Sequence, residues 1–417
     1  MRTQHASVNP GPILEILQSV SSSAGFGQIA TARSVEFASG KMTLIETSTT
    51  GHAITGDSIQ NSEVYVGTLE DWMRSYRTRD TITDRYVGFQ WFPMAGIMPP
   101  IQAEDFHQKV LSILQRFPSI RHARMDAQSG VTVVRHNDRA LAYPWSLVSL
   151  ALTSRHTGRS GEIHTTLITR SPSETLVRQV AHSMDFAVSL CETKPAPPCI
   201  EPRTLCLLPF AAGQLWDVFV PLLFANNVQS GASVWTQSDV GTTVAQKGLV
   251  ITDSGSYRGA PLTYPIDDEG SSAVATTLIQ DGKLRGFLHN RATAHEFGVA
   301  PTGNGRRLNY RNMPTVGLTN FRVRTTETVP QPDEGWFGVE WSHIVCDPNS
   351  NHIEGTLVAY ENTAKHGLVP LPRIRVKVTI DDLLMSVQTI RHTPKWCTTP
   401  SIEGTPLLFT ASALDLE

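Results

Sequence analysis

The residues best suited to chemistry are concentrated between Tyr264 and Asn320, in the run YPIDDEGSSAVATTLIQDGKLRGFLHNRATAHEFGVAPTGNGRRLNYRNMPTVGLTN. A DDEG turn sets the carboxylates of Asp267, Asp268 and Glu269 side by side ahead of Gly270. His289 with Asn290 follows, then His295 with Glu296; His289, His295 and Glu296 resemble metal ligands by residue type alone and are read as scaffold. PTGNGRR, Pro301 to Arg307, lacks the strand, GxxxxGK[ST] and helix order of a nucleotide loop, so it is not a phosphate cradle. Gly303 and Gly305 suit tight turns with positive φ. Arg306 and Arg307 form a pair of forks able to grip a carboxylate in bidentate fashion. Five cysteines, Cys191, Cys199, Cys206, Cys346 and Cys397, contain no CxxC pair. The first four read as thiols in a reducing compartment.

Taken in order, the DDEG turn, the Asp281-Gly282 turn between two apolar strands, His289-Asn290, PTGNGRR, and the Met313-Pro314 then Thr319-Asn320 pairs resemble the TldD/PmbA (TldD/TldE) family of zinc metallopeptidases. The resemblance covers the C-terminal half and extends to the first half only in general shape and length. It implies a cleft for an extended peptide, bordered here by Asp268, Glu269, His289, Asn290, Asn304, Arg306 and Arg307. It also implies an HExxxH helix about fifty residues before the DDEG turn, where two histidines bind zinc and the glutamate activates water. The matching stretch is PFAAGQLWDVFVPLLFANN, Pro209 to Asn227. Setting Gly213 and Leu215 on the family's glycine and leucine puts Asp217 and Leu222 at the two histidines and Val218 at the glutamate. The family's third ligand, a cysteine, falls on Cys397.

A catalytic zinc takes three protein ligands of N, S or O type and keeps an open position for water, and hydrolysis needs a base beside that water. Leucine binds no metal and valine moves no proton, so the expected roster in this chain is no bound cofactor, no metal and no catalytic residue. In the family, a zinc-bearing TldD-type subunit pairs with a TldE (PmbA) type subunit that lacks HExxxH. The resemblance therefore implies a TldD-like partner carrying the zinc, with this chain forming cleft wall around small peptides or peptide-like intermediates, including those of natural-product maturation. Two alternatives stay open at this point: a zinc-independent hydrolase using Cys397 with His392 or His343, and a peptide-binding scaffold.

The elements that must position these groups fall on either side of ETKPAPPCIEPRT, which has four prolines between Pro195 and Pro202 and cannot continue a helix or a central strand. The expected organisation is an N-terminal domain over 1–190, a linker over 191–203 and a C-terminal domain over 204–417. In the first half, apolar periodicity marks helices over 13–21, 103–117 and 173–191, the last opened by Ser173 as N-cap. Between them lie a hairpin around Gly40 and Lys41, a second hairpin over 86–94, and strands at 130–134 and 164–169. The second half shows strands at 248–252, 273–279, 285–289, 338–345, 355–360 and 374–378, then a helix over 379–392. Gln214 to Ala225 reads as a buried helix kinked at Pro221. Helices packed on antiparallel hairpins, followed by an antiparallel sheet, make the fold class α+β.

Composition narrows the surroundings. A net charge of −3 gives no electrostatic reason for a nucleic-acid or anionic-membrane partner. No 18-residue apolar run is present, and ILEIL near the N-terminus is too short and too interrupted by Glu15 for a signal peptide. The expectation is a cytoplasmic protein.

Overall fold

A computed structural model describes residues 24–38, 41–55, 62–66, 89–91, 103–136, 139–155, 162–170, 173–192, 204–257, 259–308, 312–391, 402–410 and 414–416. The expected helix over 13–21, the linker residues 193–203 and Cys397 lie outside the described residues.

Long alternating strands build the first half. β1 (Ala24–Ala38), β2 (Lys41–Thr55), β3 (Ser62–Val66), β4 (Phe89–Trp91), β5 (His122–His136), β6 (Arg139–Arg155) and β7 (Glu162–Thr169) form a seven-stranded sheet. Its order is β3-β2-β1-β5-β6-β4, with β7 also on β6. β1 and β2 are the hairpin expected around Lys41. Phe89–Trp91 pairs in parallel with β6, and the rest of the hairpin expected over 86–94 lies outside the described residues.

Side chains an odd number apart on one strand point to opposite faces. The register sets Val35 against Met125 and Phe26 against Val134 on β1 and β5, while Ala127 meets Val148 and Thr132 meets Tyr143 on β5 and β6. One face therefore carries Val35, Met125, Ala127, Val148 and Leu150, and is covered by α1 (Ala103–Leu114) and α2 (Glu174–Glu192) through Val110, Ile113, Val177 and Met184. The Ser173 hydroxyl accepts the Leu176 N–H at the start of α2. The opposite face carries Phe26, Val134 and Tyr143, which pack on Tyr264 and Ile266 of the second half.

The strand pairs of the second half are antiparallel, apart from β8 (Thr204–Leu207) beside β15 (Gly335–Asp347). β8 is followed by α3 (Pro209–Phe219), whose missing N–H at Pro209 falls harmlessly in the first turn. Pro221 then breaks the helix into a 3₁₀ turn, Val220–Leu223, and α4 (Ala225–Ser230), which ends at Gly231 with φ of 75°. α3 is pinned to the sheet by Gln214, which exchanges two hydrogen bonds with the Trp341 backbone at 2.8 and 3.1 Å, and by the Trp341 indole donating to the Ala211 carbonyl at 3.0 Å. β9 (Leu249–Ser254), β10 (Ala275–Gln280) and β11 (Lys283–Leu284) form a four-stranded sheet with β14 (Phe321–Thr325). The β10–β11 turn has positive φ at both Asp281 and Gly282, as a two-residue hairpin requires. Between these, α5 (Arg291–Phe297) and the short β12 (Gly305–Arg306) and β13 (Thr315–Val316) carry the motif loops.

β15 (Gly335–Asp347), β16 (His352–Thr363), β17 (Gly367–Pro370), β18 (Ile374–Thr379), β19 (Gln388–Thr389), β20 (Leu407–Thr410) and β21 (Asp415–Leu416) complete, with β8, an eight-stranded sheet. Two expectations are corrected here. The strand expected over 285–289 is limited to Lys283–Leu284 plus an isolated bridge from Leu288 to Phe224, because the chain turns away at Arg285 to reach α4. The late helix is α6 (Ile380–Ser386), not 379–392; Thr379 caps it as expected, and Gln388 and Thr389 are drawn into the sheet by β20.

Candidate functional site: a clamp of two loops and a vacated zinc motif

The DDEG turn and PTGNGRR close on one another. Asp267 is fully buried, and its carboxylate accepts N–H donors from Glu269 at 3.0 Å, Ser271 at 2.8 Å and Gly305 at 2.9 Å. Burial nonetheless raises its pKa, with the backbone donors opposing the rise. The Asp268 N–H donates to the Gly305 carbonyl at 2.9 Å, and its carboxylate accepts the Arg307 N–H at 2.8 Å and lies 3.3 Å from Nη1 of Arg306. Glu269 reaches across to accept the Arg291 N–H at 2.8 Å, the first N–H of α5. A Cβ at Gly305 would fall 2.4 Å from the Glu269 carboxylate, and one at Gly303, where φ is 76°, would fall 2.5 Å from the Ser272 carbonyl. Both glycines are required by this closeness.

A second layer holds the clamp on β9. Asp253 accepts Asn304 Nδ2 at 2.7 Å, the Thr319 N–H at 3.1 Å and the Thr319 hydroxyl at 2.5 Å. Asn304 also donates to the Gly317 carbonyl, and Thr302 donates to Asn304 Oδ1 at 2.7 Å. Asn320 bridges the Ser254 and Leu262 backbones. Asn290 caps α5 by accepting the Thr293 N–H, and the buried His289 ring lies 3.3 Å from the Thr293 hydroxyl and edge-on to Phe297. Burial lowers the His289 pKa, which favours the neutral ring.

Burial pushes the Asp253 carboxyl up to about 6, against hydrogen bonds from Thr319 and Asn304. The folded pKa exceeds the unfolded one, so the native state keeps this proton to higher pH. Its contribution to stability is full below about pH 4, and is lost as pH rises towards 6. Two pH units correspond to something on the order of 3 kcal/mol. Asp253→Asn abolishes that slope. The stability of the variant relative to the wild type is expected to rise between pH 4 and pH 7 in denaturant titrations.

The structure thus brings Asp268, Glu269, His289, Asn290, Asn304, Arg306 and Arg307 into one connected network. Asp268 bonds Arg306 and the Arg307 N–H, and the others bond residues that flank them, such as Asp253, Arg291, Thr293 and Thr302. The expectation that Arg306 and Arg307 present free forks is corrected: Arg306 pairs with Asp268 and stacks 4.1 Å over the Tyr264 ring, while Arg307 donates to the Asn312 carbonyl and lies 5.1 Å from the Phe26 ring centre. Burial disfavours the Arg306 charge, but Asp268, Tyr264, Tyr143 and Asp267 outweigh it and raise its pKa.

The positions that the resemblance sets against the zinc motif lie on a helix whose apolar side chains pack into the core. Leu222 is 2% exposed in the main core, Val218 packs against that core half-buried, and Asp217 is exposed on α3, with partial desolvation raising its carboxyl pKa. Asp217, Val218 and Leu222 cannot supply a zinc donor set. Among the described residues no group of three or more His, Cys, Asp or Glu side chains clusters to hold a metal. Asp217→Asn is expected to leave metal content and fold unchanged, by elemental analysis and circular dichroism.

Sequence reading missed Arg170, Tyr143, Tyr264 and Glu403. Tyr264 stands three residues before the DDEG turn, which was a usable signal. Arg170 and Tyr143 carried none, since they meet the motif loops only through sheet register.

These features describe an α+β protein whose C-terminal half carries two interlocked motif loops beside antiparallel sheets. Residues 203–410 match the model of the PmbA/TldA metallopeptidase C-terminal domain. The chain belongs to the TldD/PmbA family. It is 41% identical over 98 residues to a metalloprotease of Synechocystis sp., 22% of this chain and 21% of that protein. It is 36% identical over 81 residues to a metalloprotease TldD homolog of Haemophilus influenzae, 19% of this chain and 17% of that protein. The matches therefore span about a fifth of these relatives' lengths. The crystal structure of TldE from Thermococcus kodakarensis superposes with a TM-score of 0.70 at 13% identity, covering 96% of this chain and 98% of that one, which shows a shared fold. Among the described residues no helix is long and apolar enough to cross a membrane.

Proposed function

We propose that this chain is the non-catalytic, TldE-like subunit of a two-subunit zinc metallopeptidase or amide hydrolase. The observation that carries this reading is the contrast between the two motifs. The DDEG and PTGNGRR loops are closed on one another through Asp267 and Asp268, whereas the helix that would bear HExxxH has Asp217, Val218 and Leu222, two of them given over to packing. A partner subunit of TldD type would carry the zinc, the base and the attacking water. This chain would supply cleft wall, substrate contacts and stability, with small peptides or peptide-like intermediates as substrates. Maturation of a peptide-derived natural product in the cytoplasm suits a divergent pair of this kind.

The test is a peptide-hydrolysis assay on this chain, on an HExxxH-bearing relative from the same genome, and on the two coexpressed. Only the pair is expected to turn over substrate. Asp217→Asn and Cys397→Ala in this chain are expected to leave the pair's rate within about twofold, since neither would touch the reacting atoms. Hydrolysis by this chain alone, abolished by Cys397→Ala, would sink the proposal.

A further inference from the structure

Arg170, just beyond β7, is 4% exposed, and its Nε has no hydrogen-bond partner. Among the described residues no carboxylate pairs with it. It extends from the strand on the face shared with Tyr143 and Trp145, since β7 register places Thr169 against Val148 and the next pair would be Arg170 with Leu147. That face meets the DDEG loop. There the Tyr264 hydroxyl is buried without a partner, and so is the indole Nε1 of Trp145, which packs against the same cluster. Arg170, Tyr264 and Trp145 together offer a planar fork, a hydroxyl and an indole N–H, all able to donate.

A guanidinium stays charged in proteins, so burying one without an anion costs several kcal/mol. Burial acts on Arg170 in that direction, lowering its pKa, and only the Tyr264 and Tyr143 hydroxyls oppose it. The motif carboxylate Asp268 is already used, being committed to Arg306 and to the Arg307 N–H. Among the described residues, no carboxylate is left to meet the Arg170 Nε.

We propose that Arg170, Tyr264 and Trp145 form a binding site for a single carboxylate between the N-terminal sheet and the DDEG loop. One cation with no carboxylate partner among the described residues matches a monoanion. A phosphate dianion would need a second free cation, and Arg306 is already paired. The walls are apolar, with Phe26, Val134, Ile266 and Leu262, so the carboxylate is carried on a small organic group or a peptide end. The site does not depend on the subunit reading above.

Calorimetric titration and thermal unfolding of the full chain in carboxylate-free buffer test this with four probes: acetate, N-acetyl-dialanine with a free C-terminus, its C-terminal amide, and inorganic phosphate. Saturable binding of a carboxylate, with none of the amide or phosphate, is expected. Binding of the dipeptide acid alone identifies a peptide C-terminus as the ligand, and of acetate a small carboxylate. Arg170→Met is expected to weaken binding about a hundredfold, and Tyr264→Phe about five- to tenfold. Without ligand, Arg170→Met is expected to melt no lower than wild type, because it removes an uncompensated charge. Should it fail to fold, Arg170→Lys, which keeps the charge and loses the fork, and Tyr264→Phe carry the test. The proposal is overturned if no carboxylate binds, if phosphate or the amide binds as well as the acid, or if the variants bind like the wild type.

Discussion

Asp267→Ala is expected to lower the unfolding free energy by about 3–5 kcal/mol. The fully buried Asp267 carboxylate is the sole tie between its own turn and Gly305 that uses both oxygens, taking Glu269 and Ser271 N–H on one and Gly305 N–H on the other. Alanine leaves three N–H groups without this acceptor, and each buried donor left unpaired costs about 1–3 kcal/mol. The sum is reduced because the carboxylate is itself costly to bury. Asp267→Asn retains one acceptor and is expected to lose roughly half as much. Chemical denaturation followed by tryptophan fluorescence measures both, and a loss below about 1 kcal/mol for alanine would show that the clamp is not what holds these loops together.

Glu403→Ala is expected to cost a similar amount. Its side chain is wholly buried, lies 2.7 Å from Arg322 Nε, and is paired as well with Arg324 and Thr405. Arg322 in turn stacks 3.9 Å over Tyr257, and the Glu403 N–H donates to the Phe321 carbonyl. Removing the carboxylate leaves two arginines on β14 without their shared anion, a loss of about 3–5 kcal/mol for a buried pair broken on one side. Glu403→Gln keeps the shape and removes the charge, and is expected to recover part of the loss. Since β14 borders β9, which bears Asp253, the alanine variant is also expected to speed amide exchange in the clamp.

Periodicity made the helices and strands legible where one face alone is buried. α1, α2 and the β1–β2 hairpin follow directly from apolar spacing, and the Pro221 kink follows from the missing N–H. The late helix departed from sequence expectation because of a partner distant in the chain: Gln388 and Thr389 are claimed by β20. The motif loops were legible as a set, because acidic and glycine positions in order define the clamp. Their wiring was not, since Arg306 finds Asp268 and Tyr264 only once the turns close. Arg170 was invisible for a related reason: it is buried on the sheet face that meets the loop around Tyr264, and a single arginine after a strand carries no pattern.

The measurement that bears most directly on the paired-subunit reading is zinc content across a size-exclusion profile, for this chain purified alone and after coexpression with an HExxxH-bearing relative. The predicted result is no stoichiometric zinc in the lone chain, and about one zinc per heterodimer in a coeluting complex, as a single three-ligand catalytic site would hold. Stoichiometric zinc in the lone chain, or a relative that takes up zinc and cleaves peptides without this chain, would contradict it.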